Sequence, residues 1–237
     1  PNIHSTLTYS LVAPLTGMSI SPSGVFTWTP TQAQAPSTNL VTTVVTNTNP
    51  FDLVSPHLSA TNSFTVIVFA PTLAAISNFT VNAGQTVSFT AVGTDNDNTR
   101  TLTYSLGGTP PANASINSAS GLFIWRTPAS SAGTVTNIQV RVTDNSAPTL
   151  SAAQSFSVTV NALSPVTLHA VTKTNSQFQV RVSGPVGPDY ILQVSGTVTN
   201  NNWVNLLTNT PGVSPFTLTD TNVGPFTNRF YRVKLAP

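Results

Sequence analysis

The stretch GVFTWTP at residues 24–30 recurs as GLFIWRTP at residues 121–128. In both copies a Phe and a Trp stand two positions apart, after a glycine and before a proline. Side chains two apart on a strand point to the same face, and glycine and proline are typical of turns and strand ends. The pattern predicts a short strand whose Phe–Trp pair fills the space between two sheets, in preference to a ligand-stacking platform.

Three further pairs of phrases surround this one in the same order. They are LTYSL at 7–11 and 102–106, VVTN at 44–47 with RVTD at 141–144, and LSATNSFTVIV at 58–68 with LSAAQSFSVTV at 150–160. Collinear matches of this kind indicate two copies of one unit that is about 90 residues long. We call residues 7–68 the first repeat and residues 76–160 the second repeat.

The composition predicts an all-β fold. Only 6% of the 237 residues are charged, against about a quarter in ordinary domains, and glutamate is absent. Thr and Val, which favour strands, and Asn, Gly and Pro, which favour turns, take the place of the helix formers.

Charge and cysteine content exclude several classes of function. The formal net charge is only +2 and the arginines are scattered, which argues against a nucleic-acid partner. Without cysteine there are no disulfides or thiolate metal sites. No apolar run reaches membrane-spanning length, so membrane insertion is not expected.

The last part of the chain has different phrases. Alternating runs separated by Gly-, Pro- and Asn-rich turns predict strands at QFQVRV (177–182), YILQV (190–194), WVNLL (203–207), PFTLTD (215–220) and RFYRVKL (229–235). In the last of these, Tyr231, Val233 and Leu235 should face inward, and Arg232 and Lys234 should face water.

The repeated phrases resemble the bacterial immunoglobulin-like and cadherin-like repeats of large secreted surface proteins. The closing R-F-Y-R-V phrase resembles a fibronectin-type C-terminal module, and this resemblance implies that Pro237 is a true C-terminus. The implied architecture is a row of tandem immunoglobulin-like β-sandwich domains at residues 1–70, 71–162 and 163–237. Such modules serve as spacers, adhesins and polymer subunits, so the resemblance is specific for fold and not for activity.

The first of these domains lacks its beginning. Residues 76–98, ISNFTVNAGQTVSFTAVGTDNDN, predict two strands ahead of the second LTYSL phrase, and the first repeat has no counterpart. A sandwich without them exposes part of its core and leaves a sheet edge unpaired. Either an upstream part of the same chain completes the domain, or a strand from another copy does. No donor is obvious, because the segment at 1–6 is short and the last strand is needed by its own domain. The segments to consider first are an extended N-terminal arm and the linker around 69–76.

The densest polar cluster predicts a candidate metal site. Asp95 and Asp97 should lie beside the loop that carries Asp144, and their carboxylates suit Ca²⁺. Cadherin-like repeats hold calcium at such junctions, so the resemblance implies calcium as the candidate cofactor. The alternative is that these residues only cap turns, since the glutamates of cadherin sites are missing and Asn47 replaces the aspartate in the first repeat.

Nothing in the sequence predicts an enzyme. His4, His57 and His169 lack metal-binding spacing, and no nucleophile elbow, phosphate loop or dinucleotide motif is present. We therefore expect a non-enzymatic structural subunit of an extracellular fibre or cell-surface adhesive stalk, with other copies of itself as partner. Glycans are a further candidate partner. The alternative is a spacer or carbohydrate-binding module at the C-terminus of a larger secreted enzyme.

Overall fold

The computed structural model describes residues 5–51, 53–174, 176–199, 202–223 and 228–236. His4, Pro237 and most of the proposed N-terminal arm lie outside these ranges. Strands and two short 3₁₀ turns, Gln32–Gln34 and Ala129–Ser131, make up the regular structure of the described residues. The all-β prediction is confirmed. None of the helical turns in the described ranges has the length or hydrophobicity of a membrane-spanning helix.

The strands are numbered in chain order. They are β1 (Thr6–Val12), β2 (Ser19–Ile20), β3 (Phe26–Thr27), β4 (Ser37–Thr48), β5 (His57–Val68), β6 (Thr72–Leu73), β7 (Phe79–Asn82), β8 (Thr86–Thr90), β9 (Gly93–Thr94), β10 (Thr103–Gly107), β11 (Ser115–Ile116), β12 (Leu122–Arg126), β13 (Val135–Thr143), β14 (Ser151–Asn161), β15 (Thr167–Lys173), β16 (Phe178–Ser183), β17 (Asp189–Ser195), β18 (Val204–Asn209), β19 (Phe216–Asp220) and β20 (Phe230–Ala236).

The contacts divide the chain into two compact units. The first comprises the described residues up to Leu73 together with Gly93–Thr103 and Arg141–Ala153. The second comprises Ala74–Val92, Tyr104–Val140 and the described residues from Gln154 onward. The division into three domains at 1–70, 71–162 and 163–237 stays a prediction.

The first unit is built around one antiparallel sheet of order β1-β4-β5. The β4–β5 ladder has twelve consecutive pairs, from Ser37↔Val68 at one end to Thr48↔His57 at the other. A short β2–β3 hairpin carries Phe26, and Trp28 follows directly after β3. The strands β6 and β9 pair with each other, and Leu73 of β6 is buried. Within the linker at 69–76, Thr72 and Leu73 are therefore already paired within their own chain, which argues against this part of the linker as a donor strand.

Two sheets of the second repeat have the orders β11-β12-β8 and β10-β13-β14-β7, with β7 parallel to β14. Four phenylalanine rings pack together within the second unit: Phe79, Phe89, Phe123 and Phe156. They come from alternating positions of β7, β8, β12 and β14, as the period of two predicts for inward-facing residues.

The C-terminal segment forms two three-stranded sheets of order β15-β16-β19 and β18-β17-β20. Its core contains Val180, Val182, Tyr190, Leu192 and Leu218. The inward positions predicted for β20 are confirmed, since Tyr231, Val233 and Leu235 all pack against this core.

All five strands expected in the C-terminal segment are present, and one more was missed. The missed strand is β15, which pairs with β16 through a register shift between Leu168 and Val171. Both of these side chains are about half exposed. The sequence therefore carries no clear apolar alternation there, and the strand depends on its partner.

Candidate functional site: an open sheet face in the first repeat

One face of the β1-β4-β5 sheet is lined by apolar side chains. Tyr9 lies opposite Val45, and Val45 lies opposite Ala60. Since every second residue shares a face, Leu7, Leu58 and Phe64 point to the same side. We call this surface the open face: Leu7, Tyr9, Val45, Leu58, Ala60 and Phe64.

The Phe–Trp pair fills a closed core in one repeat and an open one in the other. Phe123 and Trp125 are 0% and 1% exposed, so the predicted plug is confirmed in the second repeat. Phe26 and Trp28 hold equivalent positions in the first repeat but are only half-buried. Both indoles are anchored alike, because each Nε1 donates to a backbone carbonyl at 3.2 Å. The two Phe–Trp pairs therefore differ in how far neighbouring parts of the structure cover them.

The same contrast holds on the opposing sheet. Phe156 is 2% exposed, whereas its counterpart Phe64 is 36% exposed. Leu150 is 6% exposed, whereas its counterpart Leu58 is 59% exposed. The first repeat thus presents to solvent the side chains that form the interior of the second.

Strand pairing accounts for the difference. In the second repeat β8 pairs with β12, placing Phe89 opposite Phe123 and Val87 opposite Trp125. Strand β7 pairs with the end of β14. Among the described strands, none pairs with the free edges of β3 and β5, the equivalents of β12 and β14. Two backbone edges and the side chains between them are therefore left uncovered.

Two clefts mark the open face. One, of about 300 Å³, is lined by Tyr9, Phe26, Val45, Phe64 and neighbouring residues. The other, of about 240 Å³, lies toward the turn between β4 and β5 and includes Leu7, Asn47 and Leu58.

Asn47 Oδ1 is buried and has no hydrogen-bond partner. In the second repeat the equivalent Asp144 Oδ1 accepts the backbone N–H groups of Ser146 and Leu150 at 3.1 and 2.8 Å. The first repeat thus lacks a backbone donor at this point.

The predicted calcium ligands do converge within the first unit. Asp95, Asp97 and Asp144 line one cleft of about 260 Å³ together with Arg100, and we call these four residues the acidic cleft. The two loops are tied together because Thr101 donates its backbone N–H to Asn145 Oδ1 at 3.0 Å. The expected proximity of the two loops is confirmed.

Two carboxylates of the acidic cleft, those of Asp97 and Asp144, are already engaged by the protein. Asp97 forms an ion pair with Arg100 at 2.8 Å. Hydrogen bonds from Thr99, together with Arg100, lower the pKa of Asp97. Burial opposes ionisation of Asp144, but hydrogen bonds from Ser146 and Leu150 lower its pKa overall.

The fit to Ca²⁺ is incomplete. Asp95 Oδ2 is buried without a hydrogen-bond partner, as a ligand oxygen would be before an ion binds. A guanidinium in the same cleft opposes a divalent cation, however. No group of three or more His, Cys, Asp or Glu in the described part of the chain is arranged to hold a metal ion. Calcium at Asp95, Asp97 and Asp144 stays a prediction.

A second polar site, missed by the sequence analysis, fixes the C-terminal segment to the second repeat within the second unit. Arg126 holds Asp189 through two bonds, Nη2–Oδ1 at 2.7 Å and Nη1–Oδ2 at 3.0 Å. Its Nε donates to the carbonyl of Gly84 at 2.9 Å. The hydrogen bonds from Arg126, followed by that from Thr210, lower the pKa of Asp189 despite its partial burial. A bidentate pair of this kind fixes both position and orientation.

A comparable contact lies within the first unit. The side chain of Gln32 imitates a strand by bonding both backbone groups of Ser151: its Nε2 donates to the carbonyl at 3.0 Å, and its Oε1 accepts the N–H at 2.7 Å. These two residues lie 119 positions apart in the sequence. Neither this pair nor the Arg126–Asp189 pair has a local sequence signal, because a single Gln or Arg is ordinary on a strand or in a loop.

The strands and their pairing define a protein of tandem immunoglobulin-like β-sandwich modules. Residues 70–161 match the family model described as "Putative Ig domain". The resemblance to immunoglobulin-like modules is confirmed by this match. Comparison with curated proteins gives no match.

Solved structures similar to this chain include cadherin extracellular repeats. Mouse cadherin-23 EC22-24 is 23% identical, with 66% of this chain and 53% of that chain covered and a TM-score of 0.32. Human CDH23 EC21-23 is 18% identical, with 76% and 73% covered and a TM-score of 0.32. A nucleoside hydrolase-related hypothetical protein from Saccharophagus degradans is 24% identical, with 39% and 25% covered and a TM-score of 0.32. The chain spans about half the length of the first structures it matches.

Proposed function

We propose that this chain is a non-enzymatic structural subunit of an extracellular fibre or cell-surface adhesive stalk. In this proposal a segment from another copy completes the first repeat. One observation carries it: the side chains that are buried in the second repeat, such as Phe156 and Leu150, are exposed at the equivalent Phe64 and Leu58. The second repeat therefore serves as an internal reference for the strands that the first repeat lacks.

The energetic reason for association is twofold. Contiguous apolar surface is stabilised when it is removed from water. Free strand edges also offer rows of N–H and C=O groups to an added strand, the mode of recognition known as β-strand addition. Both features occur together on the first repeat. With a net charge of only +2, electrostatic repulsion between copies is small.

The contacts that fix segments distant in sequence support a mechanical role for this chain. A stalk transmits force only if successive modules keep their orientation. The Arg126–Asp189 pair and the Gln32–Ser151 pair each hold segments that are distant in sequence. In the acidic cleft, Asp97 forms an ion pair and Asp144 accepts loop hydrogen bonds, which suits a structural use of these residues.

Electron microscopy and sedimentation velocity of the purified chain across a wide concentration range test the proposal. We expect regular assemblies that grow with concentration. Only monomers at every concentration would refute self-completion, and would leave completion by an upstream part of the same polypeptide. An affinity for sugars in such monomers would support the alternative, a carbohydrate-binding module of a larger secreted enzyme.

A further inference from the structure

The turn between β4 and β5 carries an unusual apolar surface. Phe51, Leu53 and Val54 are 71%, 94% and 91% exposed, and we call these three residues the apolar turn. The segment from Asn47 to Leu58 is five residues longer than its counterpart from Asp144 to Leu150 in the second repeat. The extra residues therefore belong to the first repeat alone and place apolar side chains in water.

The apolar turn stands at the end of a regular ladder. Strands β4 and β5 stay paired up to Thr48↔His57. Beyond this pair, Asn49 donates its N–H to the carbonyl of Pro56 at 2.9 Å, and Phe51 donates its N–H to Asn49 Oδ1 at 3.2 Å. These bonds hold the turn at the tip of the same two strands that form the open face. The turn therefore continues the two strands beyond Asn47 and Leu58, the last pair that lines the open face.

The second repeat shows what the open face accepts. There the Phe89 ring lies 5.0 Å from the Phe123 ring and 5.1 Å from the Phe156 ring. In the first repeat the equivalent rings, Phe26 and Phe64, meet edge to face at 5.4 Å. The cleft beside them thus suits another aromatic or branched aliphatic side chain.

Two further observations favour a polypeptide as the occupant of the open face. The described residues that line its two clefts are all uncharged. Asn47 lines the second cleft, and its Oδ1 lacks the backbone N–H donors that satisfy the equivalent carboxylate in the second repeat. An extended or turning backbone supplies that donor, which a lipid tail does not.

We propose that the apolar turn of one copy docks on the open face of a second copy. The inference rests on the proposed function and names the donor segment. Because the turn and the face are different surfaces, a single contact leaves one face and one turn free at the two ends of the pair. Further copies can then add head to tail, the type of interface that builds open filaments when its rotation does not close a ring.

Sedimentation velocity with two full-chain variants tests the donor. Leu53→Ser/Val54→Ser removes two of the most exposed apolar side chains of the turn. The control, Val198→Ser/Val213→Ser, removes two valines of the C-terminal segment that are 62% and 70% exposed. We expect the turn variant to associate at least tenfold more weakly than wild type, and the control to associate as wild type does.

Mixing supplies the second arm of the test. Leu58→Asp places a charge on the open face at a position already 59% exposed, so folding should tolerate it. The turn variant keeps its face and the Leu58→Asp variant keeps its turn, and we expect a 1:1 complex when the two are mixed. If the turn variant assembles like wild type, the apolar turn is not the donor, although the proposed function stands. If wild type never assembles, both fall.

Discussion

Truncating the same phenylalanine in each repeat measures how far the first repeat is open. Phe156 is 2% exposed, and truncation of a buried Phe to Ala costs about 3–5 kcal/mol because a cavity remains. Phe64 is 36% exposed, so about two thirds of its side chain is covered. Full burial of such a side chain contributes about 1.5–3 kcal/mol, and two thirds of that gives about 1–2 kcal/mol. Water already reaches the site, so little is added for a cavity.

Native-state hydrogen exchange, read peptide by peptide, separates the two repeats. We expect Phe156→Ala to lower local opening free energies in β12–β14 by about 3 kcal/mol or more. We expect Phe64→Ala to lower those in β4 and β5 by about 2 kcal/mol or less in monomers. A peptide-resolved method is needed because a chain of several modules does not unfold in two states.

Equal losses at the two positions in monomers would refute the reasoning, since they would place Phe64 in a closed core. The assembled protein provides the converse measurement. If another copy covers the open face, the loss at Phe64 should approach the loss at Phe156 under assembling conditions, while the loss at Phe156 should not change.

Three more perturbations address the fixed contacts and the acidic cleft. The pKa of Asp189 is lower in the folded protein than in the unfolded chain, so the ionised carboxylate stabilises the fold. This contribution is fully present above the pKa of the unfolded carboxyl, near 4, and is lost as the pH falls through the pKa of the folded protein. Arg126→Gln should remove this loss of unfolding free energy at low pH, which is about 1 kcal/mol or less for so exposed an ion pair. Urea titrations at several pH values measure it. Gly84→Ala should destabilise the second unit more than Gly108→Ala in thermal unfolding. Both glycines have positive φ, but only at Gly84 would a Cβ collide with backbone, and equal shifts would contradict this. Calcium should bind the acidic cleft more tightly in Arg100→Gln than in wild type by calorimetry, because the change frees a carboxylate; equal affinities would argue against a site there.

The acidic cleft shows how local and non-local information divide. The repeat alignment predicts that the loops bearing Asp95 and Asp144 meet, because the order of strands in a repeat fixes which loops share an end. It does not predict the ion pair between Asp97 and Arg100, which depends on the path of one loop. Only the tertiary structure therefore shows that Arg100 decides the electrostatics of the cleft.

The sequence by itself determined the repeat, the all-β class and the inward Phe–Trp pairs, because alternation along a strand is local and needs no partner to be recognised. It also gave no counterpart of residues 76–98 ahead of the first LTYSL phrase. Only the tertiary structure decided that the linker strand at Thr72–Leu73 is already paired. Likewise, only the coordinates placed Arg126 against Asp189 and left Phe64, unlike Phe156, in contact with water. These outcomes depend on which strand lies alongside which, and a side chain with the same neighbours in sequence is buried or exposed according to the strand that covers it.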